Sequence, residues 1–456
     1  MWCVLIWIAM AFAGGTLIDG VRVLDARGDL GEHSVWIQDG HITAIDPETV
    51  PPEVVRVDRR GYTLVPGLID AHVHITMSPG EVYRTDSPEE RRTRIAAHMR
   101  AFLAVGVTSI VDPGISTADV DLVRALHSQG AALNVYVVGP LLGPENGYPS
   151  KVVPSLEGVS RRSQVQKQFQ SFESYETYGV KVTFEDGMLM RVMPLFTPEL
   201  QTVIMDEAAK RQQNLYIHAT DTRGIRRALQ MNPHVLVHGP HRYNRRILKD
   251  IEASGAYVIS TIDIQGAGLT YFDQESLDDP FIASITPPDE LADAKNPEIR
   301  QQFIDEAWRA SAPGWPRWMG RLLYKKSVIG SRVKQAMRAI SKLHERDVPI
   351  VLGSDSSGWP LVPFLFHGVS THLEMSFLQQ AGLSPMDILT ASTRTPAEML
   401  GIDDTVGTIE VGKRADLLLV KGDPLSDITL LRTPSWVISG GVVRTPQEWL
   451  SHHETR

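Results

Sequence analysis

Apolar and polar positions follow three different rhythms along the chain. Near both ends, apolar residues come in short runs broken by Gly, Asp and Pro: at 21–24, 34–37, 41–45 and 54–57, and again at 407–410, 415–420, 435–439 and 442–444. Runs of that length between turn formers predict antiparallel strands. Because this texture occurs at both ends and not between them, the ends are expected to pair into one small β unit. The rest of the chain is then inserted into that unit.

The second rhythm fills the middle, where apolar runs at 64–75, 108–111, 133–138, 180–184, 215–218, 235–238, 257–260 and 348–352 alternate with helix-like stretches. Repeated βα units predict a parallel sheet in an α/β protein, and eight of them predict a closed (β/α)8 barrel of the TIM type. A doubly wound open sheet fits the same alternation but calls for a Gly-rich phosphate turn, which the sequence lacks. The expected organisation is a composite β-sandwich from 14–62 plus 402–447 around a barrel at 63–401. One stretch, about 263–330, is rich in Asp, Pro, Trp and Tyr and is longer than an ordinary βα connection, so a helical insertion or lid is expected there.

The third rhythm is an unbroken apolar run over residues 1–13. As a helix it would reach about 20 Å, short of the roughly 30 Å core of a bilayer, so no membrane span is expected. Ala11-Phe12-Ala13 fits a small-x-small cleavage site, which makes the run a secretory signal peptide. Export to the periplasm or the exterior then follows if it is cleaved. No Lys or Arg precedes the run, and a first buried strand in a cytoplasmic protein is the alternative.

Composition narrows the partners. Hydrophobic residues make up 43% of the 456 positions and charged residues 22%, which is ordinary globular usage and argues against disorder or a multi-span membrane protein. A formal charge of -9 without any long basic run argues against nucleic acid. Cys3 is the only cysteine, so a metal in the body of the protein must be held by nitrogen and oxygen.

Candidate chemistry gathers at the ends of the predicted barrel strands. His72 and His74 in Asp70-Ala71-His72-Val73-His74 are two apart on the first strand, which points both imidazoles to one face, able to share a divalent ion. A lone His-x-His is weak evidence. The fourth strand, however, carries Lys181, the fifth ends at His218, the sixth at His238, and Asp355 follows the eighth at once. Barrel enzymes place their catalytic groups at these strand ends.

This ordered set, with Gly179-Val180-Lys181-Val182, Ile217-His218-Ala219, Val237-His238-Gly239 and Gly353-Ser354-Asp355, resembles the metal-dependent amidohydrolase superfamily, in particular its imidazolonepropionase-like and prolidase-like members. Gly407-Thr408-Ile409-Glu410-Val411-Gly412-Lys413-Arg414-Ala415-Asp416-Leu417 is similar to the segment with which such enzymes return to their β-sandwich. The resemblance implies His72, His74 and Asp355 on one ion and His218 and His238 on a second. Lys181, carboxylated to a carbamate, would bridge them; a plain lysine in a mononuclear enzyme is the alternative, with Glu185 as the substitute carboxylate. Zinc is the first choice for imidazole and carboxylate ligands, with manganese or iron as alternatives.

Water between two such cations loses a proton near neutral pH and becomes a hydroxide nucleophile, while Asp355 takes the proton and returns it to the leaving nitrogen. The implied reaction is hydrolysis of an amide C–N bond in a small molecule: a dipeptide, an N-acyl amino acid or a cyclic amide. A lactone or ester hydrolase on the same site, and a metal-free ligand-binding descendant, are the competing readings. Tyr148, His241, Trp359 and His372 are candidate substrate contacts, and His234 is expected at the opposite rim. The family implies dimers or larger rings, with no number fixed by the sequence.

Overall fold

A computed structural model describes residues 15–128, 132–150, 156–188, 191–241, 243–311, 314–316, 318–319 and 325–451. The apolar leader and the last five residues lie outside this set. No helix among the described residues is long and apolar enough to cross a membrane.

The chain opens with β1 (Thr16–Asp25), β2 (Gly28–Gln38), β3 (His41–Ile45), β4 (Val55–Asp58) and β5 (Tyr62–Pro66). The hairpin from β2 to β3 turns on Asp39-Gly40, both at positive φ (49° and 80°), as a two-residue primed turn requires. In the middle of the chain stand β6 (Leu68–Asp70), β7 (Val107–Asp112), β8 (Asn134–Val137), β9 (Leu141–Leu142), β10 (Val180–Thr183), the small hairpin β11 (Gly187–Met188) and β12 (Arg191–Val192), β13 (Leu215–His218), β14 (Val235–Val237), β15 (Tyr257–Ile259) and β16 (Ile350–Val351). The last strands are β17 (Leu417–Lys421), β18 (Trp436–Ser439) and β19 (Val442–Arg444).

Both ends of the chain share one sheet in the order β19-β18-β17-β5-β1-β2-β3, with β4 pairing β1 in addition. The join between β17 and β5 is antiparallel, Leu419 facing Leu64. Its apolar side chains, among them Ile18, Val35, Leu64, Leu417 and Ile438, form a core of their own. Residues 407–410, expected as a strand, are irregular. Their backbone is tied instead to the end of β1, Ile409 N–H donating to Asp25 Oδ2 (3.0 Å) and Arg27 Nη2 donating to the Ile409 carbonyl (2.8 Å).

The expected first barrel strand at 64–75 is likewise divided. Pro66 ends β5 in the end sheet, Gly67 N–H turns to the Asp416 carbonyl (2.7 Å), and the barrel portion is only Leu68–Asp70. Gly67 lies so close to Thr108 Oγ1 that a Cβ there would sit 2.2 Å from it. The kink therefore needs glycine for space.

The middle folds as a TIM-barrel-like α/β unit. One parallel sheet runs β6-β7-β8 and another β16-β15-β14-β13-β10-β9. Backbone hydrogen bonds cross between them on both sides. Tyr178 N–H to Val137 O (2.8 Å) and Gly139 N–H to Gly179 O (2.9 Å) join β8 to β10, while Ala71 N–H to Leu352 O (3.0 Å) joins β6 to β16. Strands β7, β10, β13 and β14 are buried along their whole length, as expected for a sheet covered by helices.

Helices Asp263–Thr270, Pro280–Ile285, Pro288–Lys295 and Pro297–Ser311 occupy the expected insertion. It is bound to the helix Pro88–Ala104 side of the barrel through Arg84 to Asp289 (2.9 Å) and the buried pair His98 to Glu290 (2.7 Å).

The C-terminal helix Pro446–Ser451 fastens the end sheet to the barrel. Trp449 is 1% exposed, and its indole N–H donates to the Val437 carbonyl of β18 at 3.1 Å. Trp449→Ala is expected to cost about 3–5 kcal/mol of stability through the cavity it leaves. Urea unfolding of the variant and the wild type measures this; a shift below about 1 kcal/mol would mean that the end sheet is held by other contacts.

Candidate metal centre

One buried carboxylate sets the geometry of the site from below. Asp70 ends β6, and its Oδ1 accepts the backbone N–H of His72 (3.3 Å) and of Ser354 (2.9 Å) while Oδ2 accepts the Thr371 hydroxyl (2.6 Å). Asp355 N–H then donates to the His72 carbonyl at 2.7 Å. The chain segments after β6 and after β16 are thus sewn together at their backbones. Their side chains have little choice but to meet.

His72 Nε2 lies 3.3 Å and His74 Nε2 3.4 Å from the same atom, Asp355 Oδ1. The strand itself stops at Asp70 and Val73 makes only an isolated bridge to Ser356, yet the two-residue alternation carries on and brings the rings to 5.3 Å between centroids. Gly358 leaves the room for the carboxylate: a Cβ at that position would stand 1.8 Å from Asp355 Oδ1.

His218 is the last residue of β13 and His238 the first after β14; their rings are 4.4 Å apart, and His238 is 5.1 Å from His72. The five predicted side chains therefore converge. Lys181 on β10 is 4% exposed, and its amine acts electrostatically on His72 and His238 and is itself acted on by Asp355, so it belongs to the same cluster. Thr261 Oγ1 is 2.7 Å from His238 Nδ1. Glu185 Oε2 accepts the Thr220 hydroxyl at 2.6 Å and lies 3.4 Å from His218 Nε2, because the chain turns back after β10 ends at Thr183. Three of these residues carry backbone strain, with φ of 74° at His238, 43° at Thr261 and 56° at Asp355. Non-glycine residues in that region cluster at functional sites, where surrounding structure holds them.

Burial governs the protonation states. Desolvation, with the positive charge of Lys181 nearby, lowers His72 to about 3, and burial together with His218 pushes His238 well below the usual histidine range. Asp355 is pushed up by burial, but His72, His74 and His238 outweigh it and hold the carboxyl well below the ordinary carboxylate value. The His72 and His238 imidazoles are thus neutral and the Asp355 carboxylate anionic at pH 7. Burial also brings the Lys181 ammonium down to about 7, against the smaller opposing pull of Asp355 and Asp112. An uncharged amine is therefore accessible to Lys181 near neutral pH.

This donor set fits a divalent cation. His72, His74 and Asp355 offer three ligand atoms within 4.8 Å of one another. With zinc-ligand bonds of about 2.0–2.2 Å, neighbouring donors of a tetrahedron lie about 3.4 Å apart. The observed separations are 3.3 and 3.4 Å.

Of the residues at the periphery, Tyr148 stacks on His218 at 4.7 Å with 27° between planes. His241 is brought down to about 4 by burial and stands in the field of Glu185 and His218, which places it beside the cluster. Trp359 packs against the barrel core, its indole N–H without a hydrogen-bond partner among the described residues. His372 is a correction. It neither lines the site nor pairs with Glu374: its Nε2 is 2.9 Å from the Val105 carbonyl and its ring meets Phe281 edge-on, while Glu374 accepts the backbone N–H of Asp263. His234 holds the Met399 carbonyl at 2.8 Å, the structural role expected of it. Sequence reasoning missed the work of Asp70, Thr261, Thr220 and Asp112, whose Oδ2 accepts Ile75 N–H at 3.0 Å. Only Asp70 left a signal, two residues before His72.

The family model described as Amidohydrolase family matches residues 63–443. The chain belongs to the amidohydrolase family. In sequence, this amidohydrolase is 31% identical to a dihydroorotase of Anaeromyxobacter sp. (strain K) over 132 residues, 28% of this chain and 30% of the relative. It is 26% identical to a dihydroorotase of Streptococcus pneumoniae over 222 residues, 48% of this chain and 45% of the relative. These matches span less than half the length of either relative. In structure it is similar to a Xaa-Pro dipeptidase solved with methionine in its active site (TM-score 0.71, 22% identity, 94% of this chain and 99% of that one). A molinate hydrolase gives a TM-score of 0.69 at 19% identity, covering 97% and 98%. At these identities the structural likeness speaks for the fold.

The Gly358 contact makes a direct test of the amidohydrolase site. Gly358→Ala is expected to displace the Asp355 carboxylate and lower the zinc bound per chain, with circular dichroism unchanged. Wild-type zinc content in the folded variant would show that Asp355 is not where binding is decided.

Proposed function

We propose that this protein is a metal-dependent hydrolase that cleaves the amide C–N bond of a small molecule, with a dipeptide, an N-acyl amino acid or a cyclic amide as the substrate class. The single observation that carries this reading is the convergence of two imidazole nitrogens, of His72 and His74, on one carboxylate oxygen of Asp355, at 3.3 and 3.4 Å. His72, His74 and Asp355 hold one divalent cation, His218 and His238 a second, and zinc suits both sets. Cations so held acidify water to a nucleophile near neutral pH and polarise the scissile carbonyl. The presence of dihydroorotases and a Xaa-Pro dipeptidase among the similar proteins supports an amide as the bond attacked.

The chain's own residues supply the rest. Asp355, kept anionic, accepts the proton that water loses and delivers it to the departing nitrogen, which leaves as an amine. Thr261 orients the His238 ring by fixing its Nδ1. Burial holds the Tyr148 phenol well above its usual value, so its O–H stays a donor to the substrate's carbonyl oxygen. Lys181 is matched to carbamate formation. Its uncharged amine adds to the carbon of carbon dioxide, a C–N bond forms, one proton leaves, and the two new oxygens carry the negative charge that ligation requires.

Zinc-loaded protein screened against dipeptides, N-acyl amino acids, hydantoins and lactones is expected to turn over an amide. His218→Ala should lower that rate at least about 100-fold with the fold intact, since loss of a ligand exceeds the loss of a ligand's supporting partner. Undiminished turnover in His218→Ala removes the site assignment, and a lactone as the sole substrate removes the amide class.

Lys181 gives a pH signature. Below about 7 its amine is protonated and cannot add to carbon dioxide, so activation of metal-stripped protein by zinc plus bicarbonate should rise with pH through about 7 and level off above it. Activation that is flat across pH 6–8 at constant carbon dioxide would contradict the carbamate.

A further inference from the structure

Behind His74 lies a second group of ligating side chains that shares no residue with the proposed centre. His98 comes from helix Pro88–Ala104, Glu290 from helix Pro288–Lys295 of the insertion, and His367 from the turn before helix Val369–Gln380. All three are buried, at 0%, 1% and 2% exposure. Their ligand atoms lie within 4.8 Å of one another.

The hydrogen bonds around the two rings decide their tautomers. His98 Nδ1 is 3.0 Å from the Ile75 carbonyl and His367 Nε2 is 3.2 Å from the His74 carbonyl. A carbonyl can only accept, so both of these nitrogens carry hydrogen. His367 Nδ1 then holds a lone pair with no hydrogen-bond partner among the described residues, and Glu290 Oε2 is equally without one. The remaining atoms, His98 Nε2 and Glu290 Oε1, face each other at 2.7 Å.

A simple ion pair explains one histidine and one carboxylate oxygen. It leaves a buried imidazole lone pair and a buried carboxylate oxygen unsatisfied, each costing about 1–3 kcal/mol. An imidazole whose N–H is anchored on a backbone carbonyl presents its other nitrogen for ligation, and both rings are anchored in this way. The nearby Arg94 guanidinium, 3.8 Å from Glu290 Oε1, is itself held by Asp86 and Asp289, so it does not consume the Glu290 charge.

We infer that His98, Glu290 and His367 form a further divalent-cation site, of the zinc class because two of its ligands are imidazoles, and that it pins the helical insertion to the barrel. Binding there displaces the proton between His98 and Glu290. The rings now stack at 3.9 Å with 22° between planes, so tilting of one ring accompanies ligation.

The test counts metal. Wild-type protein and Glu290→Gln, both metal-stripped, reloaded with zinc and desalted, should differ by one equivalent per chain by atomic emission, and zinc should raise the melting temperature of the wild type more than that of the variant. Equal zinc content in the two folded proteins overturns the site. If Glu290→Gln does not fold, crystals of zinc-loaded wild type decide: an anomalous peak at the zinc edge among the three side chains supports the site, and its absence overturns it. A peak here without one at His72, His74 and Asp355 would sink the proposed catalytic centre and leave this site standing.

Discussion

A carboxylate that must remain charged in a buried place is the constraint on which the arrangement turns. Asp355 is 5% exposed, and burying an isolated anion is so unfavourable that a protein ordinarily neutralises it by protonation. Here the surrounding imidazoles hold it ionised, while the same burial strips His72 and His238 of their protons and brings the Lys181 ammonium to the edge of neutrality. Anionic oxygen and neutral nitrogen are the forms that ligate. Low dielectric, which opposes charge everywhere else in the core, therefore prepares this cluster for a cation.

Holding the cluster is a matter of backbone rather than of side-chain packing. Asp70 gathers the amides of His72 and Ser354, and Asp355 N–H is spent on the His72 carbonyl. Strain accumulates at the mouth, where His238, Thr261 and Asp355 sit at positive φ. The end sheet, the covering helices and the insertion supply the stability that offsets it. The insertion reaches this machinery by a short route. Glu290 holds His98, His98 stacks on His367, and His367 donates to the carbonyl of His74.

Much of the fold was legible because strand and turn signals are local. Eight apolar runs separated by helix-like stretches, and similar short runs broken by turn formers at the two ends, all depend on neighbours in sequence. Where reading failed, a distant partner had intervened. Residues 407–410 have the composition of a strand, but Arg27 and Asp25 capture the backbone of Ile409. The run at 64–75 looks continuous, but Asp416 takes the N–H of Gly67 and the chain changes sheets.

Alternation along a strand and the order of the βα units were enough to put His72, His74, Lys181, His218, His238 and Asp355, on or just after the first, fourth, fifth, sixth and eighth expected strands, at one rim. What folding added was the charge states of His72, His238, Lys181 and Asp355, the support given by Asp70 and Thr261, the removal of His372 to the Val105 carbonyl, and the meeting of His98, Glu290 and His367. The reason is physical. Side-chain direction follows from local backbone geometry, whereas desolvation and hydrogen bonding depend on what the folded chain brings from hundreds of residues away.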